Sequence, residues 1–167
     1  MAANELEQKA DTWKTWTEAV RLTHYARADA FRKWNNAIGV AAVLLSTVVS
    51  AGILTSVHKN PGFGWTLAAA ILGVAATALT GVRAYLKLGE LSELHRVRAG
   101  EFGEIRRTLE TFLLGNPPND AASRAQLDRI ADQIAKLEKK GPGYPGKVFK
   151  RKFDQVKQQG TEGQRPR

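Results

Sequence analysis

The sequence predicts an all-α membrane protein: a two-transmembrane helical hairpin whose helices extend into a cytoplasmic antiparallel stalk, plus a C-terminal amphipathic helix. Residues 38–57 and 61–82 are apolar and free of charge, and only a few polar residues separate them. Apolar residues at alternating spacings of three and four precede and follow this pair, as expected for helices that bury one face. A Gly-Asn-Pro-Pro run at residues 115–118 then separates the stalk from a shorter amphipathic segment.

Each apolar stretch is long enough to cross a bilayer. Twenty residues of α-helix at about 1.5 Å each span roughly 30 Å, the thickness of the hydrocarbon core. A hairpin buried in a soluble bundle is the alternative, but a soluble core helix usually carries a charged stripe. We therefore predict a first span at 38–57, an outer loop at 58–64 and a second span at 65–82.

The charge distribution predicts the orientation of the hairpin. The chain has a formal net charge of +9, and its predicted outer loop holds a single basic residue, Lys59. Basic residues flank the spans on the opposite side: Arg21, Arg27, Arg32, Lys33, Arg83, Lys87, Arg96 and Arg98. The positive-inside rule then places both termini in the cytoplasm. Trp34 and Trp65 lie near span ends, where we expect them to contact lipid headgroups.

The predicted hairpin and stalk occupy residues 1–115. Residues 5–37 read as one helix that continues into the first span and buries Leu6, Ala10, Trp13, Trp16 and Val20. Residues 83–114 continue the second span as a helix, with bends expected at Gly89, Gly100 or Gly103. The seam of this helix is Leu88, Leu91, His95, Arg98, Phe102, Ile105, Leu109 and Phe112.

The remaining chain is predicted to hold one more helix and a tail. Residues 119–140 read as an amphipathic helix, because Asn119 or Asp120 supplies an N-cap and apolar residues recur on one face. Its seam consists of Leu127, Ile130, Ile134 and Leu137. Residues 141–167 form a basic tail that we predict to be partly disordered, from residue 160 onwards.

Both spans carry rows of small residues at four-residue spacing. These rows are Ala42, Ser46 and Ser50 in the first span and Ala69, Gly73, Thr77 and Gly81 in the second. Small residues let helices approach closely in lipid, where no hydrophobic effect drives association. The rows either hold the hairpin together, or one packs inside it while the other lines a pore. Because neither span contains a charge, a proton relay or a coupled transporter is not expected.

A polar interruption in the stalk seam is the second candidate site. His95, Arg96 and Arg98 break the apolar pattern just beyond the second span. One interpretation is a buried polar layer that fixes register, with a carboxylate such as Glu93 or Glu101, or one on the first helix, as partner. The other is a binding or gating layer. The histidines lie far apart in sequence without acidic neighbours at ligand spacing, so no metal site is expected.

A polybasic segment with aromatic residues marks the tail. Lys147, Lys150, Arg151 and Lys152 stand beside Tyr144, Phe149 and Phe153. The segment is either a solvated tail or a surface for anionic lipid headgroups, and we expect the latter in a membrane protein. Nucleic-acid binding is not expected, because no recognised fold presents the patch. No cysteine, phosphate-binding loop or Ser-His-Asp order is present, so we expect neither an enzyme nor a cofactor.

The motifs around the spans resemble those of the SLATT family, bacterial two-transmembrane effector domains of conflict and cyclic-oligonucleotide signalling systems. Tyr25-Ala26-Arg27 leads through Arg32, Trp34 and Asn35 into the first span, and His95-Arg96, Ala99, Phe102, Ile105-Arg106-Arg107 and Glu110 follow the second. The resemblance covers roughly residues 10–113. It adds Arg106, Arg107 and Glu110 to the cytoplasmic polar layer. Phe102 stands where the family usually has tyrosine.

The resemblance implies a multi-pass protein of the bacterial inner membrane that serves in antiphage defence. It would assemble as a homo-oligomer and form or gate a pore, acting as a channel when a nucleotide-derived signal is sensed. The signal would come from a nucleotide-sensing or signal-producing partner protein or a bound ligand. The alternative is a membrane-anchored, non-conducting scaffold that recruits a cytoplasmic partner through the residues beyond the stalk.

Overall fold

A computed structural model describes residues 5–56 and 63–162, and this part of the chain is entirely α-helical outside its turns. The helices are α1 (Glu5–Ser56), α2 (Phe63–Leu86), α3 (Leu88–Leu114), α4 (Ala121–Lys140) and α5 (Gly146–Glu162). The predicted all-α class with two long apolar helices is confirmed. Most of the predicted outer loop, residues 58–62, lies outside the described residues.

The chain divides into two compact units. The first, which we call the bundle, comprises residues 1–28 and 93–167, of which 5–28 and 93–162 are described. The second, the hairpin, comprises residues 29–92 except for the undescribed 57–62. Helix α1 contributes its first half to the bundle and its second half to the hairpin, as the uninterrupted pattern from residue 5 predicts.

The bundle is built on the predicted seams. In α1 the buried residues include Leu6 and Ala10, which pack with α3 and α4 in one apolar core. The other fully packed members are Ile105, Leu109, Phe112, Leu127 and Ile130. Since these positions recur at spacings of three and four, each helix buries one face and leaves its charged residues in water.

The start of α4 shows how the sequence sets a helix boundary. Asp120 is the N-cap, and its carboxylate accepts a hydrogen bond from the backbone N–H of Ser123 at 2.8 Å. That bond, in which the charged form is the acceptor, lowers the pKa of Asp120. Asn116 just upstream adopts φ 47°, which asparagine tolerates better than most residues. Of the two N-cap candidates, the structure therefore selects Asp120.

The basic tail contains a helix that the sequence analysis did not predict. The backbone N–H groups of Val148 and Phe149 donate to the carbonyl of Pro145, which starts α5 directly after a Gly-Pro-rich turn. Phe149 and Phe153, four residues apart, stack on each other with ring centroids 5.7 Å apart. The helix runs to Glu162, and residues 163–167 lie outside the described residues, so the disorder predicted from residue 160 stays a prediction.

The hairpin packs through small residues. Ala42 and Ala76 are buried between its two helices, whereas large aliphatic side chains on both helices point outward. Two glycines on α1 receive large side chains of α2: the Arg83 guanidinium lies over Gly39 and the Trp65 indole over Gly52. A Cβ atom at Gly52 would stand 2.8 Å from Cζ2 of Trp65. Close approach of the two helices therefore requires glycine at this position.

A single residue separates α2 from α3. Lys87 has φ 46°, in the left-handed region that is costly for a residue with a Cβ atom. The backbone N–H of Leu91 already donates to its carbonyl, so α3 starts at once on the other side. Gly89, Gly100 and Gly103 lie inside α3 with no positive φ. The break between the two helices thus falls at Lys87, and the bends predicted at the glycines stay predictions.

Candidate functional site

Two histidines from different helices meet in the bundle. Nδ1 of His24 on α1 lies 2.8 Å from Nδ1 of His95 on α3, and each residue is only 2% exposed. At this distance one ring donates and the other accepts, so the accepting ring is neutral. Burial, reinforced by His95 and Arg98, lowers the pKa of His24 to about 4. Burial and the charge of Arg27 also lower the pKa of His95, so the pair is uncharged at neutral pH.

Aromatic rings enclose this pair. Phe102 stacks on His24 with ring centroids 5.8 Å apart and planes within 15°, and Tyr144 meets the same imidazole edge-on at 5.4 Å. Trp16 in turn packs edge-on against Phe102. The same burial raises the pKa of the Tyr144 phenol. The apolar rings explain why the histidines are held in the neutral state.

Arg98, which belongs with His24 and His95 to the buried polar layer, connects this layer to the end of α4. One guanidinium nitrogen binds Glu101 at 2.6 Å, and another donates to the carbonyl of Lys140 at 3.0 Å. Glu101, one of the carboxylates proposed for this layer, thus holds Arg98. The partner of His95 in this layer is His24, in place of the predicted carboxylate. Among the residues described, the buried Nε of Arg98 has no hydrogen-bond acceptor.

The other predicted polar residues separate into two groups. Arg106 lies 3.3 Å from Glu18 on α1 and 3.5 Å from Glu110 on its own helix, while Glu18 also binds Arg21. This ion network ties α1 to α3. Arg96 and Arg107 are exposed, so the structure does not bring them into the buried layer.

His24 could have been found from the sequence. The α1 seam continues beyond Val20. Thr17, Val20 and His24 are all buried, at spacings of three and four. Extending the three-four pattern by one step reaches His24, opposite the known interruption of the α3 seam. The contribution of Tyr144 has no such signal, because it lies in the irregular segment before α5.

The small-residue rows of the hairpin turn out to rotate away from its interface. Residues spaced by four advance about 40° around an α-helix at each step, since 3.6 residues complete one turn. Ala42 is buried, whereas Ser46 and Ser50 are exposed. In α2 the row passes from half-buried Ala69 and Gly73 to exposed Thr77 and Gly81. Each row therefore begins at the hairpin interface and ends on the outer surface, and half-buried Gly73 lies at the edge between the two.

The outward part of the α2 row is uncovered. We call Gly73, Thr77 and Gly81 the outer small face. A Cβ atom at Gly73 or Gly81 would meet nothing within 4 Å. The hydroxyl of Thr77 donates to the carbonyl of Gly73 at 2.9 Å, so it already has a partner in its own helix. This surface is smooth, and a helix backbone can approach it closely.

The remaining surface of the hairpin is apolar. Both α1 and α2 contain stretches long and apolar enough to cross a membrane, and little of either stretch is buried. Val74 is 70% exposed, and other exposed aliphatic residues are Val40, Val43, Leu44, Val48, Ile53, Leu67 and Ile71. A hairpin buried in a soluble core would hide these side chains, whereas lipid accommodates them.

The predicted lipid-contact residues also differ among themselves. Trp34 is 66% exposed, whereas Trp65 is 48% exposed and its ring packs over Gly52. On α5, Lys147, Lys150 and Arg151 are exposed. Lys152 is half-buried, with its ammonium donating to Gln155.

Comparison with known families gives a match over most of the chain. SMODS and SLOG-associating 2TM effector domain family 4, a SLATT family, matches residues 17–142. The matched range includes both histidines of the layer, the ion network and the outer small face, and it ends before α5. No curated protein and no solved structure matches the chain.

Proposed function

The chain belongs to the SLATT family of two-transmembrane effector domains, and from this premise we propose that it forms or gates a pore in the bacterial inner membrane as a homo-oligomer. Both termini are assigned to the cytoplasm. The proposal gives the chain no catalytic reaction, cofactor or metal. Its role in antiphage defence would follow from loss of the ion gradients across the membrane.

The outer small face is the observation that carries this proposal. Two helices enclose no path for ions, so a pore needs hairpins from several copies. Helices associate in lipid mainly by close packing and interhelical hydrogen bonds, which small residues and hydroxyls allow. Gly73, Thr77 and Gly81 offer such a surface on the outside of the hairpin, whereas Ala42 and Ala76 are already used inside it.

The orientation and the signal are further parts of the proposal. Basic residues precede the first span and follow the second, in the segments that lead to the bundle. The positive-inside rule assigns these segments to the cytoplasm. The family description, associating with SMODS and SLOG, supports a partner protein that produces or senses a nucleotide signal. The contact between His24 on α1 and His95 on α3 supports a role in transmitting such a signal, because it joins the two helices that continue from the spans.

A flux assay with matched substitutions tests the proposal. We reconstitute the full chain in liposomes that contain a self-quenched dye or a potassium gradient, and measure membrane potential in expressing cells. Gly73→Leu and Gly81→Leu place bulk on the outer small face, at positions where a Cβ atom meets nothing within 4 Å. Ala78→Leu, at an exposed position of α2 outside the row, is the control.

We expect the two glycine variants to insert normally but to release no dye, whereas Ala78→Leu behaves like the wild type. If all three variants conduct like the wild type, the outer small face does not assemble the pore. If the wild type conducts in neither assay, a pore that is open without the signal is refuted.

A non-conducting scaffold is the second candidate, favoured by the exposed charged surfaces of α4 and α5. Removing residues 119–167 is a poor test, because Leu127 and Ile130 of α4 belong to the bundle core. Neutralising exposed residues of α5 is a better one. A scaffold predicts that these changes abolish the effect on cells while Gly73→Leu is silent, which is the reverse of the pattern expected for a pore.

A further inference from the structure

Helix α5 separates its aromatic residues from its basic residues. Phe149 and Phe153 belong to the inward side, where the Phe149 ring lies 6.5 Å from Trp16 and 5.7 Å from Tyr144. Lys147, Lys150 and Arg151 are exposed on the outward side. The sequence pattern suggested one polybasic-aromatic patch, but in the folded bundle only the basic half is available to a partner.

The outward side forms one continuous cationic surface, which we call the α5 basic face. It surrounds an open groove of about 500 Å³ lined by Lys147, Lys150, Arg151, Asp154, Gln155 and Gln158. The face carries three cations against one carboxylate. Such a concentration of like charge on one side of a short helix favours an anionic partner.

The chain itself points to the identity of that partner. The chain leaves the bundle after Ala28 and returns to it at Glu93. Each of these points is about ten residues of sequence from the nearer apolar stretch. So short a connection keeps the bundle within reach of the headgroups of the membrane that the apolar stretches cross, at an effective concentration that no dissolved polyanion shares. Clusters of lysine and arginine next to membrane spans bind anionic lipids by this means.

We propose that the α5 basic face is a docking surface for the anionic headgroups of the membrane in which the chain resides. The helix binds as it is folded here: its aromatic residues stay against Trp16, and only Lys147, Lys150 and Arg151 reach the lipid phosphates. Contact is electrostatic and lies at headgroup level. Because the inward side of α5 rests on the rings around His24, lipid charge also stabilises the bundle that holds the histidine layer.

The absence of cysteine from the chain permits a direct test. A spin label on Gln155→Cys, in the middle of the face, reports its accessibility to a neutral, water-soluble relaxation agent. The full-length protein is reconstituted in nanodiscs of phosphatidylcholine alone or with phosphatidylglycerol. The same label on Gln133→Cys, an exposed position of α4, is the reference site.

Two charge variants of equal size complete the design. The α5 variant is Lys147→Gln, Lys150→Gln and Arg151→Gln. The α4 variant is Arg129→Gln, Lys136→Gln and Lys139→Gln, which removes the same charge from the neighbouring helix. All six residues are exposed, and glutamine suits helices as well as lysine does, so neither variant should unfold the bundle.

We expect phosphatidylglycerol to lower the accessibility of the label at residue 155 at least roughly tenfold, because each of the three basic residues near an anionic surface favours the docked state. The reference label should not respond. The α5 variant should lose the protection, the α4 variant should retain it, and high salt should remove it.

Several results would overturn the proposal. Equal accessibility in the two lipid mixtures would show that the face does not bind headgroups. Equal loss of protection in both charge variants would indicate general attraction without a docking surface. Protection by an added oligonucleotide in phosphatidylcholine discs, without any effect of phosphatidylglycerol, would assign the face to nucleic acid. A label at hydrocarbon depth, with high oxygen accessibility, would mean that α5 inserts instead of docking.

Discussion

The bundle and the hairpin use the same seam spacing with opposite distributions of side-chain size. In the bundle, large residues such as Phe102 and Leu109 fill the interior. In the hairpin, Ala42 and Ala76 are buried, and large residues such as Val74 face outward. Water drives apolar side chains inward at about 25 cal/mol per Å² of buried surface, whereas lipid supplies no such drive. The difference teaches that the three-four pattern identifies a helix seam, and residue size identifies the solvent.

The largest expected effect concerns the close approach inside the hairpin. Gly52→Leu places a side chain where the Trp65 ring lies, so we expect it to weaken hairpin packing by about 3 kcal/mol, the upper range for overpacking. Hydrogen–deuterium exchange of the α1 and α2 peptides in nanodiscs measures the loss. Ala78→Leu, which adds the same side chain at an exposed position outside the outer small face, should leave exchange unchanged. Equal effects of the two variants would contradict the described seam.

Acid should distinguish the two units. The pKa of His24 is lowered to about 4, so the unfolded state binds more protons than the folded state between about pH 6.5 and 4. Stability of the bundle should therefore fall as the pH falls through this range, by on the order of 2 kcal/mol. The apolar stretches contain no ionisable residue and should not respond.

Exchange rates of bundle and hairpin peptides at pH 7 and pH 4.5, corrected for intrinsic rates, report this difference. The double variant His24→Phe, His95→Phe provides the control, since it should lose most of the acid sensitivity. An equal response in wild type and double variant would show that other groups are responsible.

Breaking the histidine pair should cost somewhat less. His24→Phe keeps an aromatic ring against Phe102 but leaves Nδ1 of His95 without this partner, which we expect to destabilise the bundle by about 1.5 kcal/mol at pH 7. Adding His95→Phe should restore part of this loss, because both polar atoms are then gone. The unfolding free energies of the wild type, the two single variants and the double variant are measured by denaturant unfolding with tryptophan fluorescence. Strictly additive losses of unfolding free energy would argue against direct coupling of the two histidines.

The smallest effect is expected for the ion network. Glu18 is largely buried and contacts both Arg21 and Arg106, so Glu18→Gln should destabilise the bundle by about 1 kcal/mol. Asp11→Asn breaks the exposed pair with Lys14 and should cost well under that amount. The same unfolding measurement compares the two. A larger loss for Asp11→Asn would show that burial does not govern these pairs.

The regular parts of the molecule follow from local pattern. The seams of α1, α3 and α4, the continuity of α1 and the choice of an N-cap near residue 120 all depend on residue spacing and backbone chemistry. The hairpin likewise follows from two uncharged stretches of sufficient length.

Tertiary partners were harder to predict because they depend on contacts distant in sequence. The spacing of the small residues did not reveal that Gly39 and Gly52 receive Arg83 and Trp65. The basic composition of α5 obscured a helix whose aromatic residues find their partner in Trp16, some 130 residues away. His24 was within reach of the pattern but required extending the α1 seam by one step.

The number of copies in the membrane tests the central claim most directly. We would measure the mass of the full chain in lipid nanodiscs by native mass spectrometry, for the wild type and for Gly73→Leu. We expect four or more copies for the wild type and fewer for the variant, because the outer small face joins the hairpins. A wild type that remains a monomer or dimer would enclose no path across the membrane and would contradict the pore.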